Sequence, residues 1–473
     1  MVRSTDSIER LQRMAQMTLP NGATLVRQLP IPAPRRRQFE IASQPLTGEH
    51  APWAAEASGN VSASYAPASR EPVAAEVEIS EEESPPVSPE TAQLAAAAID
   101  AVAAGDHATA VDLLRQALLD APHHPLLKRN LQMTLLNWAT AELNADQPEN
   151  ALVHLEQADA LGNHHAVLRA LGAAYLRIGR HADAANVLET AVDLAPSDGQ
   201  SLFFLSQALT ELDRRAEALD LLMRAQEAGM RGAVVDRLAA RLSREVDTEW
   251  DYIRSASPHF DIDYHEGTDA DVVYDVAAAL EDAYTFVGAR LDHYPERRTR
   301  AVLYPQEDFH HTTQMPDWVS GLFDGRIKVP IGGLRHGDNE LSRVIRHEYA
   351  HRVIVDVAGH SCPVWLNEGI SMWAEGSADF RERWALQELA GRRLLDIASI
   401  TGPLATLGEE RAKIAYAQSY LAVAHLAERY GDQRIAELLA ELGRTRDLQE
   451  ASRLVFRTDL QAVLATYFDR LAE

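Results

Sequence analysis

The sequence of 473 residues predicts a multidomain chain: a disordered N-terminal tail, an all-α solenoid and an α+β domain. Three observations lead to this prediction. Residues 1–92 are rich in Pro, Ala, Ser and Glu and have little periodic apolar content. Residues 93–245 repeat a helical, Ala- and Leu-rich pattern. Residues 250–473 open with strand-like runs that precede further helices, and a chain of this length supports more than one core.

Composition narrows the classes of partner. The chain has 45 basic and 70 acidic side chains, a formal charge of −25, which repels phosphate backbones and anionic lipid. We therefore expect no nucleic-acid partner. The N-terminal residues show no apolar run of the kind found in signal peptides or spanning helices, so no membrane association is expected. A single cysteine, Cys362, excludes an intramolecular disulfide and permits a reducing compartment, and we expect the protein in the cytoplasm.

A repeat of about 34 residues runs through the second region. One unit is nearly complete, and its repeat positions are Leu171, Gly172, Tyr175, Ala184, Leu188, Ala191 and Pro196. Less complete units contain Ala110, Leu114, Ala117 and Pro122, then Ala151, Leu155 and Ala158, and finally Ala218, Leu222 and Ala225. This spacing resembles the tetratricopeptide repeat, a helix-turn-helix unit that buries its apolar faces against its neighbours. The resemblance implies a protein partner on the repeats.

The third region predicts strands and helices in alternation. HFDIDYH at 259–265 and RAVLYP at 300–305 have strand-like patterns, and the stretch from about 269 to 292 is helical. A further strand candidate, GLFDGRIKVP at 321–330, contains an Asp-Gly turn at 324–325. These elements predict an α+β domain in which a strand precedes the helix described next.

That helix, LSRVIRHEYAHRVIVDVAG, carries two histidines four residues apart. His347 and His351 therefore project from one face about one turn from each other, and their imidazoles can meet one metal ion. Glu348, the next residue round the helix, lies where a carboxylate could accept a proton from water at an open coordination position. This is the HExxH pattern, and apolar neighbours such as Ile345 and Ile354 indicate a buried setting.

Two histidines leave a zinc site one protein ligand short, and the segment PVWLNEGISMWAE can supply it. Glu368 follows His351 by 17 positions. This distance lets the first helix finish at Gly359, the chain turn at Pro363, and a second helix begin at about Trp365 and pack back on the first. Glu368 is accordingly the predicted third ligand.

HEYAH followed by WLNEG resembles the gluzincin metallopeptidases, and especially the aminopeptidase N branch, over roughly residues 250–473. The resemblance implies one zinc ion per chain, held by His347, His351 and Glu368, with Glu348 as the catalytic base. It also implies hydrolysis of a peptide bond.

The resemblance extends to IAYAQSYLAVAHLAERYG at 414–431. In the aminopeptidase N branch a similar helix carries a tyrosine that stabilises the oxyanion of the tetrahedral intermediate. Tyr416 stands at the matching place and is the candidate for this role, and Tyr420, one turn later, is the second candidate. Packing on a buried helix is the alternative for both tyrosines.

Departures from the pattern bear on the substrate. The glutamate of the GxMEN segment, which binds the free amine in aminopeptidases, has no matching acid in GLFDGRIKVP, so exopeptidase activity is not expected. Met372 occupies the place where thermolysin has an aspartate that orients a ligand, which leaves Glu375 or a backbone carbonyl to orient a histidine. The gap between His351 and Glu368 is shorter than in aminopeptidase N. This shorter gap and the GxxDGxIxVP strand resemble a set of uncharacterised gluzincin-like domains that are often fused to tetratricopeptide repeats.

The expected function is that of a zinc-dependent endopeptidase whose protein or peptide substrate is recruited by the repeats. The strand at 321–330 could pair with an extended peptide. Two alternatives remain open: a catalytically silent domain on a repeat scaffold for protein–protein interaction, and a zinc hydrolase that acts on something other than a peptide.

Overall fold

The computed structural model describes residues 86–315, 319–332, 339–396 and 404–472, together with the backbone of two short strands nearer the N-terminus. The chain divides into two compact units. One runs from Ser62 to Val246, and the other combines Met1–Val61 with Asp247–Glu473. The division falls between the second and third regions of the sequence analysis.

The first unit consists of helices in its described part. They are α1 (Pro89–Ala103), α2 (His107–Asp120), α3 (Pro125–Asn144), α4 (Pro148–Asp159), α5 (His165–Arg177), α6 (His181–Leu194), α7 (Gly199–Glu211), α8 (Arg215–Glu227) and α9 (Ala233–Thr248). Local signals set several boundaries. Three helices have proline at the first position, where its missing N–H costs nothing, and Ser88, Asp106 and Asp198 cap α1, α2 and α7 through their side chains.

The repeat positions form the interior of this unit. The small and apolar positions of all four second helices are at most 2% exposed: Ala110, Leu114, Ala117, Ala151, Leu155, Ala158, Ala184, Leu188, Ala191, Ala218, Leu222 and Ala225. Gly172 of α5 approaches α6 so closely that an added Cβ would lie 2.3 Å from Cγ of Leu188. Small residues thus bring the paired helices together and leucines fill the space between them, as the repeat pattern predicts.

The described part of the second unit contains a mixed sheet of seven strands. In chain order they are β1 (Gln16–Thr18), β2 (Thr24–Arg27), β3 (Tyr252–Ala256), β4 (Phe260–His265), β5 (Thr299–Tyr304), β6 (Leu322–Phe323) and β7 (Ile327–Pro330). The order across the sheet is β1-β2-β3-β4-β5-β7-β6. The pairs β4–β5 and β5–β7 are parallel and the others antiparallel, so β6 forms one edge of the described sheet.

Helices of the second unit cover the sheet and continue beyond it. They are α10 (Ala270–Leu291), α11 (Gln306–Thr313), α12 (Asn339–Ala358), α13 (Val364–Ala374), α14 (Ala378–Leu389), α15 (Glu409–Tyr430), α16 (Gln433–Thr445), α17 (Leu448–Phe456) and α18 (Leu460–Ala472). Alternate residues of β4, β5 and β7 share one apolar core with α10, α12, α13 and α15. No described helix has the length and apolar character needed to cross a bilayer. The predicted combination of helices and strands in this part of the chain is confirmed in outline, and the sheet is small and mixed.

The N-terminal region differs from the prediction where the structure describes it. Within the predicted disordered tail, 1–92, β1 and β2 form a hairpin, and Val26 and Arg27 of β2 pair with Ala256 and Ser255 of β3. Strands of three and four residues are too short to show a periodic pattern, and the pairing edge that β3 offers is invisible in the sequence. Helix α1 also begins four residues before the predicted boundary at 93, because Ser88 and Pro89 start it. Residues 28–85 lie outside the described residues.

Candidate metal centre

Helix α12 presents two histidines next to the core. Tyr349, Ala350 and Val353 on the same helix are fully buried, so the face that bears the histidines is held firmly in place. The rings of His347 and His351 are perpendicular, with centroids 4.8 Å apart, as expected for residues one turn apart that lean toward a common point. Their side chains are 16% and 13% exposed, which leaves limited access from solvent.

Glu368 completes a group of three possible ligands from α13. Helix α12 ends before Gly359 (φ 58°), and Pro363 precedes the first residue of α13, so the chain turns back where the sequence indicates. Oε2 of Glu368 lies 3.5 Å from Nε2 of His347 and 3.6 Å from Nε2 of His351. All three ligand atoms lie within 4.8 Å of one another, and no other such group of three or more occurs in the described residues.

The two distances from the Glu368 carboxylate to the imidazoles, 3.5 and 3.6 Å, are close to those of a tetrahedral zinc site. Bonds of about 2.0–2.1 Å at tetrahedral angles place neighbouring ligand atoms about 3.3–3.5 Å apart. The donor set, two imidazoles and one carboxylate, is the one found in catalytic zinc sites that keep a fourth position open. His347, His351 and Glu368 can therefore hold a zinc ion with little rearrangement.

Partners on the far side of the ring fix the orientation of His351. Its Nδ1 lies 2.8 Å from Oδ1 of Asn367 and 3.0 Å from Oγ of Ser371. With Nδ1 donating to these oxygens, Nε2 keeps its lone pair for a metal. Asn367, which precedes Glu368 in the WLNEG segment, thus sets the tautomer of His351.

The surroundings of His347 favour positive charge. Burial alone would lower its pKa, but the carboxylates of Glu368 and Glu375, together with the charge of Glu348, raise the pKa to about 10. Burial raises the pKa of Glu375, and its contacts with His347 and Arg381 outweigh this and lower that pKa to about 2. A divalent cation would meet the same negative surroundings and displace the proton of His347.

Glu348 lies against the edge strand of the sheet. It is 7% exposed, and its carboxylate accepts a hydrogen bond from the backbone N–H of Phe323 in β6. Burial is the largest cause that raises its pKa to about 7, with a further contribution from Glu368. Gly321 permits the close approach, because an added Cβ there would lie 2.9 Å from Cγ and Oε1 of Glu348.

The β6–β7 hairpin carries an acid that already has an internal partner. Oδ2 of Asp324 lies 2.6 Å from Nζ of Lys328, and the lysine side chain is only 1% exposed. Arg326 anchors the same hairpin through two hydrogen bonds to Glu249. The charge of Asp324 is therefore compensated within the protein.

The two candidate tyrosines on α15 differ in their surroundings. Burial raises the pKa of Tyr416 far above its usual range, and the charges of Glu368 and Glu348 add to this effect, so its side chain lies within the field of the metal centre. Tyr420 instead donates its hydroxyl to the carbonyl oxygen of Ala378, 3.1 Å away at the start of α14. Tyr416 thus interacts electrostatically with Glu368 and Glu348, whereas the Tyr420 hydroxyl is bound to the backbone of α14.

Close helix packing sets the distance between Tyr416 and the ligands. Gly369, the residue after Glu368, faces the backbone of α15, and an added Cβ would lie 2.3 Å from the carbonyl oxygen of Ser419. The glycine of WLNEG therefore lets α13 and α15 touch through their backbones.

Several partners of the site residues were not predicted from the sequence. Asn367 and Ser371 were detectable in principle, because they lie one residue before and three residues after Glu368 on the same helix. The Phe323 N–H and Arg381 gave no signal, since a backbone group has no sequence identity and Arg381 lies on the next helix.

A family model described as the Peptidase MA superfamily matches residues 315–470. The match covers β6, β7 and the helices that carry all the site residues, which is about a third of the chain. This part of the chain is thus similar to a peptidase family. No curated protein sequence matches the chain.

Solved structures are similar to parts of this chain at low sequence identity. MamA from Desulfovibrio magneticus RS-1 is 16% identical over 34% of this chain and 88% of that one, with a TM-score of 0.28. A tetratricopeptide repeat protein from Parabacteroides merdae is 13% identical over 67% of this chain and 99% of that one, with a TM-score of 0.30. The buried repeat positions described above are the basis for assigning helical repeats to this part of the chain.

Gly369→Ala tests the packing that sets this geometry. The added methyl would collide with the Ser419 carbonyl, so we expect a lower melting temperature, from overpacking that costs about 1–3 kcal/mol, and weaker zinc binding. The control is Gly199→Ala, whose added Cβ lies 3.4 Å from its nearest neighbours. Thermal unfolding and zinc titration of both variants would contradict this account if Gly369→Ala behaved like the control.

Proposed function

We propose that this protein is a zinc-dependent endopeptidase that hydrolyses peptide bonds of a protein or peptide substrate. In this proposal His347, His351 and Glu368 hold one zinc ion, Glu348 is the catalytic base, and Tyr416 stabilises the oxyanion. The observation that carries the proposal is the convergence of three ligand atoms beside a second, buried carboxylate, that of Glu348. The similarity of residues 315–470 to a peptidase family supports it independently.

The chemistry follows from the positions of the protein groups. When bound, zinc supplies a Lewis acid that polarises a carbonyl and activates water at neutral pH. Glu348 adjoins the ligand His347 on α12, and its buried carboxylate is a group that can accept a proton and later return it. The Phe323 N–H faces this carboxylate and lowers its pKa, against the larger effect of burial.

The edge strand offers a binding site for an extended peptide. Among the described strands β6 pairs with β7 alone, and the Phe323 N–H, which faces Glu348, points away from β7. Because N–H and C=O groups of one residue share an edge and the edges alternate along a strand, the Phe323 carbonyl and the backbone of Gly321 remain for a peptide. Main-chain pairing there would bring the peptide alongside the catalytic base.

Compensation of Asp324 supports endopeptidase rather than aminopeptidase action. A site for a free α-amine needs an acid with uncompensated charge near the scissile bond. Asp324, an acid of the hairpin beside Glu348, is paired with the buried Lys328. An internal segment of a substrate, without a free amine, suits this surface better.

The repeats would recruit the substrate or a protein that delivers it. Stacked helical pairs present an extended surface suited to peptides and proteins, and their buried small residues maintain its shape. We propose this role for residues 93–245 and a cytoplasmic location for the protein.

Glu348→Gln separates metal binding from catalysis. Because Gln cannot accept the proton, we expect cleavage of unfolded casein to fall by about 100-fold to 10,000-fold while one zinc per chain is retained. The measurements are metal content by mass spectrometry and initial rates of cleavage. The matched control is Glu382→Gln, the same change at an exposed position of α14.

Two outcomes of this experiment would contradict the proposal. Absence of zinc from the wild-type protein supplied with the metal would remove the catalytic centre and leave a repeat scaffold. Cleavage by Glu348→Gln at the wild-type rate would exclude Glu348 as the base.

A pair of tyrosine variants tests the assignment of the oxyanion donor. Tyr416→Phe removes a hydroxyl close to Glu368 and Glu348, and we expect kcat to fall by about 100-fold to 1,000-fold with zinc content unchanged. Tyr420→Phe removes only a hydrogen bond to Ala378 and should lower thermal stability more than kcat. A reversed order of the two kcat values would assign the role to Tyr420 instead.

A further inference from the structure

The ligand His347 has one ring nitrogen that the metal centre does not use. Its Nδ1 is buried and, among the described residues, has no hydrogen-bond partner. Oε2 of Glu375 lies 3.7 Å from it, slightly beyond hydrogen-bond distance. His351 differs, since its Nδ1 already has Asn367 and Ser371 as partners. A metal-bound histidine donates its other N–H to a carboxylate, a carbonyl or water in nearly all sites, so Nδ1 of His347 needs such an acceptor.

The turn after α13 directs Glu375 to this place. Glu375 is the residue that caps α13, and it is followed by Gly376 with φ 83°, a conformation that favours glycine. An added Cβ at Gly376 would also lie 2.5 Å from the ring of Phe286, so no larger residue fits this turn without a shift. The sharp turn points the Glu375 side chain inward, where it is fully buried.

Several donors hold the Glu375 carboxylate in this position. Ser377 donates its hydroxyl to Oε1 at 2.6 Å. Arg381 of α14 donates Nε to Oε1 and Nη2 to Oε2, the latter at 3.0 Å. This two-point contact fixes the plane of the carboxylate, and a buried carboxylate is stable as an anion only with partners of this kind.

We propose that Glu375 is the positioning residue for His347, and that Arg381 sets the metal affinity of the centre by holding Glu375 in place. The inference rests on the proposed function, because it assigns a role toward the zinc ion of that site. A small movement closes the gap of 3.7 Å when His347 turns its Nε2 to a metal and its Nδ1–H to Oε2 of Glu375. Helix α14 thereby influences the centre without contributing a ligand.

The test compares two variants with two controls on the full-length protein. Glu375→Gln keeps the shape of the side chain and removes its charge. Arg381→Met removes the group that holds the carboxylate and leaves residue 375 a glutamate. Glu382→Gln and Arg383→Met make the same changes at exposed neighbours on α14. Zinc affinity is measured by competition with a chromophoric chelator, and thermal unfolding of each metal-free protein reports on the fold.

We expect the zinc Kd of Glu375→Gln to rise by about 10-fold to 100-fold, that of Arg381→Met to rise by about 10-fold, and those of the controls to stay at the wild-type value. A purely structural role would lower the melting temperature of the metal-free protein and leave the Kd unchanged. If Glu375→Gln does not fold, the zinc Kd of Arg381→Met decides whether Glu375 has a positioning role.

Two results would overturn the inference, and they differ in what else they remove. A wild-type Kd in a folded Glu375→Gln, or in Arg381→Met where the former does not fold, rejects the positioning role and leaves the proposed function intact. Failure of the wild-type protein to bind zinc removes the proposed function and the positioning role together.

Discussion

The approach of three ligand atoms from two helices is the constraint on which the rest of the site depends. His347 and His351 share α12 and are fixed by its pitch, but Glu368 reaches them only if α13 packs at one distance and angle. That distance follows from the contact of Gly369 with the backbone of α15, which also carries Tyr416. Metal ligands and the proposed oxyanion donor are therefore positioned by one packed interface.

Charge is the second factor that determines how the site binds a metal ion. Glu348, Glu368 and Glu375 surround two imidazoles in a largely buried region, and buried anions without compensation are costly. Arg381 compensates Glu375, and His347 takes up a proton that partly compensates the others. A cation bound between the ligands would replace this proton. The buried carboxylates destabilise the metal-free protein, and their attraction to the cation would stabilise the metal-bound form.

The sequence predicted the grouping of His347, His351 and Glu368 better than the contacts around them, for physical reasons. The spacing of His347 and His351 is a property of one helix, and WLNEG placed Glu368 and Asn367 on the next. The choice between Tyr416 and Tyr420 needed the structure, because residues one turn apart on a helix can meet different neighbours. Arg381, the Phe323 N–H and strands β1 and β2 depend on contacts between segments distant in the chain, which no local pattern encodes.

The most direct test of the central claim is anomalous diffraction at the zinc absorption edge from crystals grown with zinc. The account predicts one anomalous peak within about 2.0–2.2 Å of Nε2 of His347, Nε2 of His351 and a carboxylate oxygen of Glu368. A peak bound by other residues, or none between these three, would contradict the claim that this interface forms a catalytic metal centre.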